Sequence, residues 1–336
     1  MTARERVRAA LLGEPVDRPP VSFWGHIYER ESTAEDLVGA TLELQSRHRW
    51  DWVKLNPRKH YHAEPWGVRY RYTGVAAQKP TLEAWPVHRA EDWERITQEP
   101  HDRGGLGEQI QAVRLLRERL DRDVPIIQTV FTPLAILGEM VREPDDLKAH
   151  MESRPELVRG ALEAVSRTFE PYVREVLGAG ADGIYLATVD WASRDRLTPE
   201  EYRAWARPYD LRLLAAAEGA WFNVLHVCKR RNLLLELADY PVGAFSWAAT
   251  DPTNPSLKEA LARIKGAVMG GISQEGALQK PGAAEAVEEF RRGLEQTGGR
   301  RWLVAPGCSI PPGTPAGNLE AVRAAVHSSV RIGEPS

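Results

Sequence analysis

Short apolar runs rich in β-forming residues recur along the chain, separated by longer stretches whose apolar positions repeat at helical spacing. Eight runs are legible: residues 20–24 (PPVSF), 52–55 (WVKL), 125–131 (PIIQTVF), 183–187 (GIYLA), 222–226 (FNVLH), 242–247 (VGAFSW), 267–270 (AVMG) and 302–305 (WLVA). Helical periodicity fills most of the gaps, over residues 33–48, 106–120, 155–178, 199–218, 230–238, 256–264, 283–296 and 318–330. Strand followed by helix, eight times over, predicts an α/β fold of the (β/α)8 TIM-barrel type.

Local punctuation supports the alternation. Thr198, Pro199 and Glu201 read as a capping box with proline at the first helical position, and Asn254 with Pro255 repeats the cap-then-proline start. Gly178 and Gly180 close a long helix just before GIYLA. Roughly 70 residues separate the second and third expected strands, more than a crossover needs. Within them residues 68–87 (VRYRYTGVAAQKPTLEAWPV) read as an inserted hairpin, placed over one end of the barrel. No repeat, charge block or low-complexity linker divides the chain, so residues 1–336 are read as one domain.

Composition narrows the class of partner. With 44 Lys plus Arg against 47 Asp plus Glu, the net charge of −3 offers no basic field for nucleic acid. At 43% hydrophobic and 27% charged residues the chain is globular rather than disordered. No apolar run approaches the ~18 residues of a membrane span. The opening residues carry Arg4, Glu5, Arg6, Arg8 and Glu14 in place of a signal-peptide core. A cytoplasmic protein with no membrane partner is therefore expected. The 2 cysteines cannot build a disulfide framework in a chain of 336 residues, so each is core filler, metal ligand or reactive thiol.

The stretch NVLHVCK places His226 and Cys228 two residues apart at the end of the fifth expected strand, where alternation points both inward. Barrel enzymes keep their chemistry at the carboxyl ends of the strands. Cys308, in LVAPGCSIPPGTP, stands just past the eighth strand at the same face. One imidazole and two thiols suit Zn²⁺, leaving a fourth position for water or substrate. A buried cysteine pair beside a hydrogen-bonded core histidine is the alternative.

Further candidates stand near other strand ends. Asp190, in LATVDWASRD, could complete a metal shell, orient His226, accept a substrate hydrogen bond or cap a helix. Trp24, Trp191 and Trp247 follow strand ends and could wall an apolar cleft for a flat cofactor, ordinary core being the equal alternative. His60, His62 and Glu64 form a second H-x-H set, read as part of a solvated loop. No P-loop, dinucleotide fingerprint or Ser-His-Asp order is present.

Over nearly its whole length the chain resembles the uroporphyrinogen decarboxylase superfamily. The likeness lies in GEPVDRPPVSF after an opening helix, QTVFTPL, GADGIYLAT with LTPEEYRAWARPYD, LHVCK, VMGGI and APGCSIPPGTPAGNLEAVRAAV. The superfamily fold is itself a (β/α)8 barrel. Within it the H-x-C and later C pattern resembles the zinc-dependent methylcobamide:thiol methyltransferases. That resemblance implies Zn²⁺ on His226, Cys228 and Cys308, a small-molecule thiol substrate activated as thiolate, a methylcorrinoid co-substrate, a corrinoid protein as its carrier, and a homodimer.

Two departures from true porphyrinogen decarboxylases bear on mechanism. Where those enzymes resemble one another in an Arg-Gln-Ala-Gly-Arg stretch that holds carboxylates, this chain reads SFWGHIYERES. Where they place an essential aspartate at the end of the second strand, it reads VKLNPRKHY, which puts Lys54 and Asn56 among the catalytic candidates with Asp190. An octacarboxylate needs several converging cations, and only Lys54, Arg58 and Lys59 are evident. Tetrapyrrole decarboxylation therefore ranks behind methyl transfer, and a barrel that binds a corrinoid or tetrapyrrole without turnover ranks third.

Overall fold

The computed structural model of the chain describes residues 1–329. Its strands, in chain order, are β1 (Val53–Leu55), β2 (Arg69–Arg71), β3 (Thr81–Ala84), β4 (Ile126–Phe131), β5 (Gly183–Ala187), β6 (Val224–His226), β7 (Ala244–Ser246), β8 (Ala267–Ile272) and β9 (Trp302–Pro306). Strands β1 and β4 through β9 form one 7-stranded sheet in that order, every neighbouring pair parallel. Strands β2 and β3 pair antiparallel with a register shift at Arg69 and Tyr70. They lie in the chain between β1 and β4, inside the 68–87 segment.

Around the sheet run α1 (Ala3–Leu12), α2 (Ala34–His48), α3 (Gly104–Arg119), α4 (Pro133–Glu139), α5 (Pro144–Ser153), α6 (Pro155–Gly178), α7 (Pro199–Trp205), α8 (Arg207–Ala216), α9 (Leu257–Leu261), α10 (Ala284–Thr297) and α11 (Ala316–Ser328). No helix among the described residues is long and apolar enough to cross a membrane. The last residue of the helix expected over 318–330 lies outside the described residues.

Burial on both faces explains why the strands read as continuous apolar runs rather than alternating ones. One face packs on the helices: Val53, Leu55, Ile126, Ile184, Leu186, Leu225, Phe245, Val268 and Val304 belong to the outer core. The alternate positions form a separate inner core of Trp24, Trp52, Ile127, Tyr185, Val224, Ala244, Ala267, Met269 and Leu303. Val7, Ala10 and Leu11 of α1 join this inner core. The same helix bonds through Arg4 to Asp182, just before β5, and through Arg6 to Asp51, just before β1. Helix α1 thus closes the amino end of the curled sheet and leaves the carboxyl end open.

The sheet holds seven strands where eight were expected. Residues 20–24 run as an extended segment with an isolated parallel bridge from Val21 to Val304 instead of a strand. Val304 donates to Pro20 O and Ser22 donates back to Val304 O, while Asp51 N donates to Val21 O on the other side. Pro19 and Pro20 lack the N–H groups that a continuous ladder needs. Asp51 reinforces this seam by accepting from Arg6, Arg18 and the Val21 N–H, at 2.6–2.8 Å for the shortest contact of each.

Three helical expectations change in the structure. The 199–218 helix is two helices broken at Ala206, because Pro208 has no N–H for the Ala204 carbonyl, which accepts from Arg159 instead. The 230–238 helix reduces to a 3₁₀ turn at Leu234–Leu237, since Arg231 sits at φ 49° and cannot start an α-helix. Helices α4 and α5 occupy residues 133–153, a stretch between the expected elements.

Candidate metal centre

His226 ends β6 and faces inward because it shares parity with Val224 of the inner core. Cys228 follows two residues later, and Cys308 lies two residues beyond the end of β9. The ligand atoms of these three residues all lie within 4.8 Å of one another. The two sulfurs are 3.9 Å apart and both thiols are free.

The loops that present them are tightly specified. A Cβ at Gly307 would meet Ala248 Cα at 2.7 Å, so only glycine lets the Cys308 loop pass the loop after β7. Asn254 donates to the carbonyls of Lys229 and Ala248 at 3.0 and 3.2 Å and accepts from Asn232 N, bracing the Cys228 loop. Of the 6 non-glycine residues with positive φ among the described residues, His60, Val189, Lys229 and Arg231 follow the carboxyl ends of strands. Backbone strain of this kind gathers at functional sites.

The donor set fits a tetrahedral ion. Two Zn–S bonds of about 2.3 Å at the tetrahedral angle set the sulfurs about 3.8 Å apart, against the observed 3.9 Å. Ser246 Oγ engages His226 Nδ1 at 3.2 Å, while His226 Nε2 is buried with no hydrogen-bond partner. An orphaned buried nitrogen costs about 1–3 kcal/mol unless something satisfies it. The Cys308 thiol is held well below the ordinary thiol range by its hydrogen bond with Cys228, against burial and with help from His226 and Lys54. The same hydrogen bond, together with burial, pushes Cys228 well up.

Lys54 and Asn56 line the same mouth. Lys54 Nζ donates to Asn56 Oδ1 at 2.6 Å, and Ser309, next to Cys308, donates to that oxygen at 3.4 Å. The ammonium lies 4.8 Å from the Tyr185 ring centroid and 5.6 Å from that of Trp24. Burial lowers Lys54 to about 7 against the upward pull of Cys308, Glu31 and Cys228. Trp24 itself packs edge-on to Tyr185 in the inner core.

Other candidates go elsewhere. Asp190 pairs with Lys229 Nζ at 3.1 Å on the rim, outside the three-residue cluster, and His226 Nδ1 is held by Ser246 instead. Trp191 and Trp247 do not wall the cleft. Both are buried in the outer core, with Trp191 against Gly138 and Trp247 donating to Pro255 O at 2.7 Å. Indole rings beyond a strand end satisfy their N–H and their area against helices as readily as against a ligand.

The solvated-loop reading of His60 and His62 is also corrected, since both are buried. His60 pairs with Glu139 at 2.7 Å, and the His62 ring lies 3.9 Å from that of Phe131. Burial lowers His62 to about 3, so it is neutral. Glu64 is tied to Arg58, which also reaches Glu108 at 3.3 Å, so Arg58 is not a free cation for a carboxylate substrate. Sequence reading missed Ser246 and Tyr185. Their inward parity was legible from Ala244 and from GIYLA, but which strands neighbour β6 was not.

The chain matches the family model described as uroporphyrinogen decarboxylase (URO-D) over residues 2–329. Among curated relatives, the methylcobamide:CoM methyltransferase MtaA of Methanosarcina barkeri is 25% identical over 342 residues, covering 96% of this chain and 97% of the relative. The methylcobamide:CoM methyltransferase MtbA of Methanosarcina acetivorans is 25% identical over 335 residues, covering 95% and 96%. Among solved structures, a methyltransferase from Methanosarcina mazei superposes with a TM-score of 0.85 at 24% identity, covering 98% of this chain and 99% of that one. That likeness speaks to the fold. Since the family model spans all but the ends, the chain belongs to the uroporphyrinogen decarboxylase (URO-D) family.

Proposed function

We propose that the protein is a cytoplasmic zinc-dependent methyltransferase that activates a small-molecule thiol as thiolate and methylates it from a methylcorrinoid. The fold this reading takes is a (β/α)8 barrel in which the extended 20–24 segment, bridged at Val21 to Val304, stands in the place of the one strand the sheet lacks. The observation that carries it is the cluster of two sulfurs 3.9 Å apart beside the unpartnered Nε2 of His226. The names of the MtaA and MtbA relatives support the corrinoid and the thiol.

His226, Cys228 and Cys308 would hold Zn²⁺, which supplies Lewis acidity that lowers the pKa of a bound thiol. The two protein sulfurs offset the charge of the dication and keep a third sulfur nucleophilic. Lys54, which burial brings to about 7, gains its proton as negative charge collects on the sulfurs, so its Nζ balances the charge that this third sulfur brings, and Asn56 fixes its position. Asp190, with Lys229, stands at the rim as a polar contact for the far end of the substrate. Trp24 backs the mouth from below, and α1 keeps the opposite end shut. A corrinoid protein would dock its cofactor over the open end. A homodimer completes the proposal, read by sedimentation.

Metal analysis of protein purified without added zinc, with a methyl-transfer assay from methylcobalamin to small thiols, tests the reading. About one zinc per chain and thioether product are expected, both lost in Cys308→Ala. Unchanged metal content in that variant overturns the proposal.

A further inference from the structure

Ser246 stands in register with His226 on the neighbouring strand β7. Its Oγ lies 3.2 Å from His226 Nδ1 and 3.0 Å from the Tyr185 hydroxyl. The Tyr185 ring stacks on the His226 imidazole, centroids 5.0 Å apart and planes 25° from parallel. Ser246, Tyr185 and His226 are 0%, 2% and 3% exposed, so bulk water replaces none of these partners. The imidazole is therefore fixed twice: ring stacking sets its plane, and the hydrogen bond to Ser246 sets its rotation within that plane.

Hydrogen counting leaves two self-consistent arrangements, and a free Nε2 lone pair for an ion selects one of them. A neutral imidazole offers Nε2 to an ion only when its proton is on Nδ1. Ser246 carries a single hydroxyl hydrogen. If that hydrogen goes to the Tyr185 oxygen, Ser246 faces Nδ1 with lone pairs alone, and Nδ1 must be the donor. The reverse chain, from Tyr185 to Ser246 to Nδ1, leaves the imidazole proton on Nε2 and blocks the lone pair.

We infer that Ser246, oriented by Tyr185, is the positioning residue that holds His226 in the Nδ1–H tautomer and aims its Nε2 lone pair at the ion. The inference rests on the metal reading above and adds two residues that contact neither ion nor substrate. It also accounts for the buried Nε2 without a partner. Partners behind a ligating histidine are worth about 10- to 100-fold in metal affinity.

The test is zinc affinity, measured by competition with a chromogenic chelator on the whole chain, together with the visible spectrum of the cobalt(II)-loaded protein. Ser246→Ala should bind zinc about 10- to 100-fold more weakly and alter the cobalt bands, while Ser246→Thr, which keeps the hydroxyl, stays within a few-fold of wild type. Tyr185→Phe preserves the ring and frees the Ser246 hydrogen, so it too should weaken binding. Ser246→Ala with wild-type affinity and an unchanged cobalt spectrum overturns the inference. Should that variant not fold, undiminished affinity in Tyr185→Phe does the same. A wild-type chain that binds no zinc overturns the metal reading as well, which separates the two failures.

Discussion

The sulfurs of Cys228 and Cys308 lie 3.9 Å apart although 80 residues separate them in the chain. They are the chain's 2 cysteines, so thiol chemistry reads the site without background. Metal-free protein should react with a thiol-specific chromogenic reagent at both residues, and zinc should protect both together. Protection of neither, at saturating zinc, is incompatible with shared ligation.

Lys54 is expected to act on the reaction and not on the metal. Lys54→Met keeps the buried stem but removes the charge beside the sulfurs. Zinc content should stay at the wild-type level while the single-turnover rate of methyl transfer falls roughly 100-fold, the usual effect of losing one charge-stabilising group. An unchanged rate would reduce Lys54 to filling the inner face of the sheet.

Asp51 joins three parts of the seam between the 20–24 segment and the curled sheet through Arg6, Arg18 and the Val21 N–H. Asp51, Arg6 and Arg18 are buried; Arg6 keeps its bonds to Asp17, but Asp51→Ala leaves the Arg18 guanidinium without a carboxylate and should cost about 3 kcal/mol in denaturant unfolding. A loss well under 1 kcal/mol would show that the seam closes without it.

Asp210 makes stability depend on pH in a stated direction. Burial raises its carboxyl to about 7, although Tyr202 and Tyr240 both donate to Oδ2. Between the ordinary carboxyl pKa near 4 and about 7, the folded state keeps a proton that the unfolded chain releases. Stability therefore falls as pH rises through this window, by about 1 kcal/mol per pH unit for one proton. Asp210→Asn should flatten the slope by that amount in unfolding titrations at pH 4, 5.5 and 7. An identical slope in the variant removes Asp210 as the source.

Much of the fold was legible because parallel strands buried on both faces leave uninterrupted apolar runs, as GIYLA and PIIQTVF do. The first run, PPVSF, misled because periodicity does not register missing N–H donors. The 230–238 stretch misled because leucines at helical spacing cannot override a left-handed Arg231. His226, Cys228 and Cys308 stood out since strand parity and a strand end are local properties. The burial of His60 and His62 depends on Glu139 and Phe131, which only the packing of α4 and the end of β4 supplies.

By itself the chain determined its alternation of buried strands and covering helices and the inward face of His226, because both follow from short-range periodicity. Only the tertiary structure decided that two sulfurs distant in sequence share one ion-sized space. It likewise placed Ser246 behind the imidazole and seated Trp191 and Trp247 in the outer core instead of the cleft. Those outcomes depend on which strands become neighbours and how loops cross at the carboxyl end, and nothing in a local pattern encodes the distance between two loops.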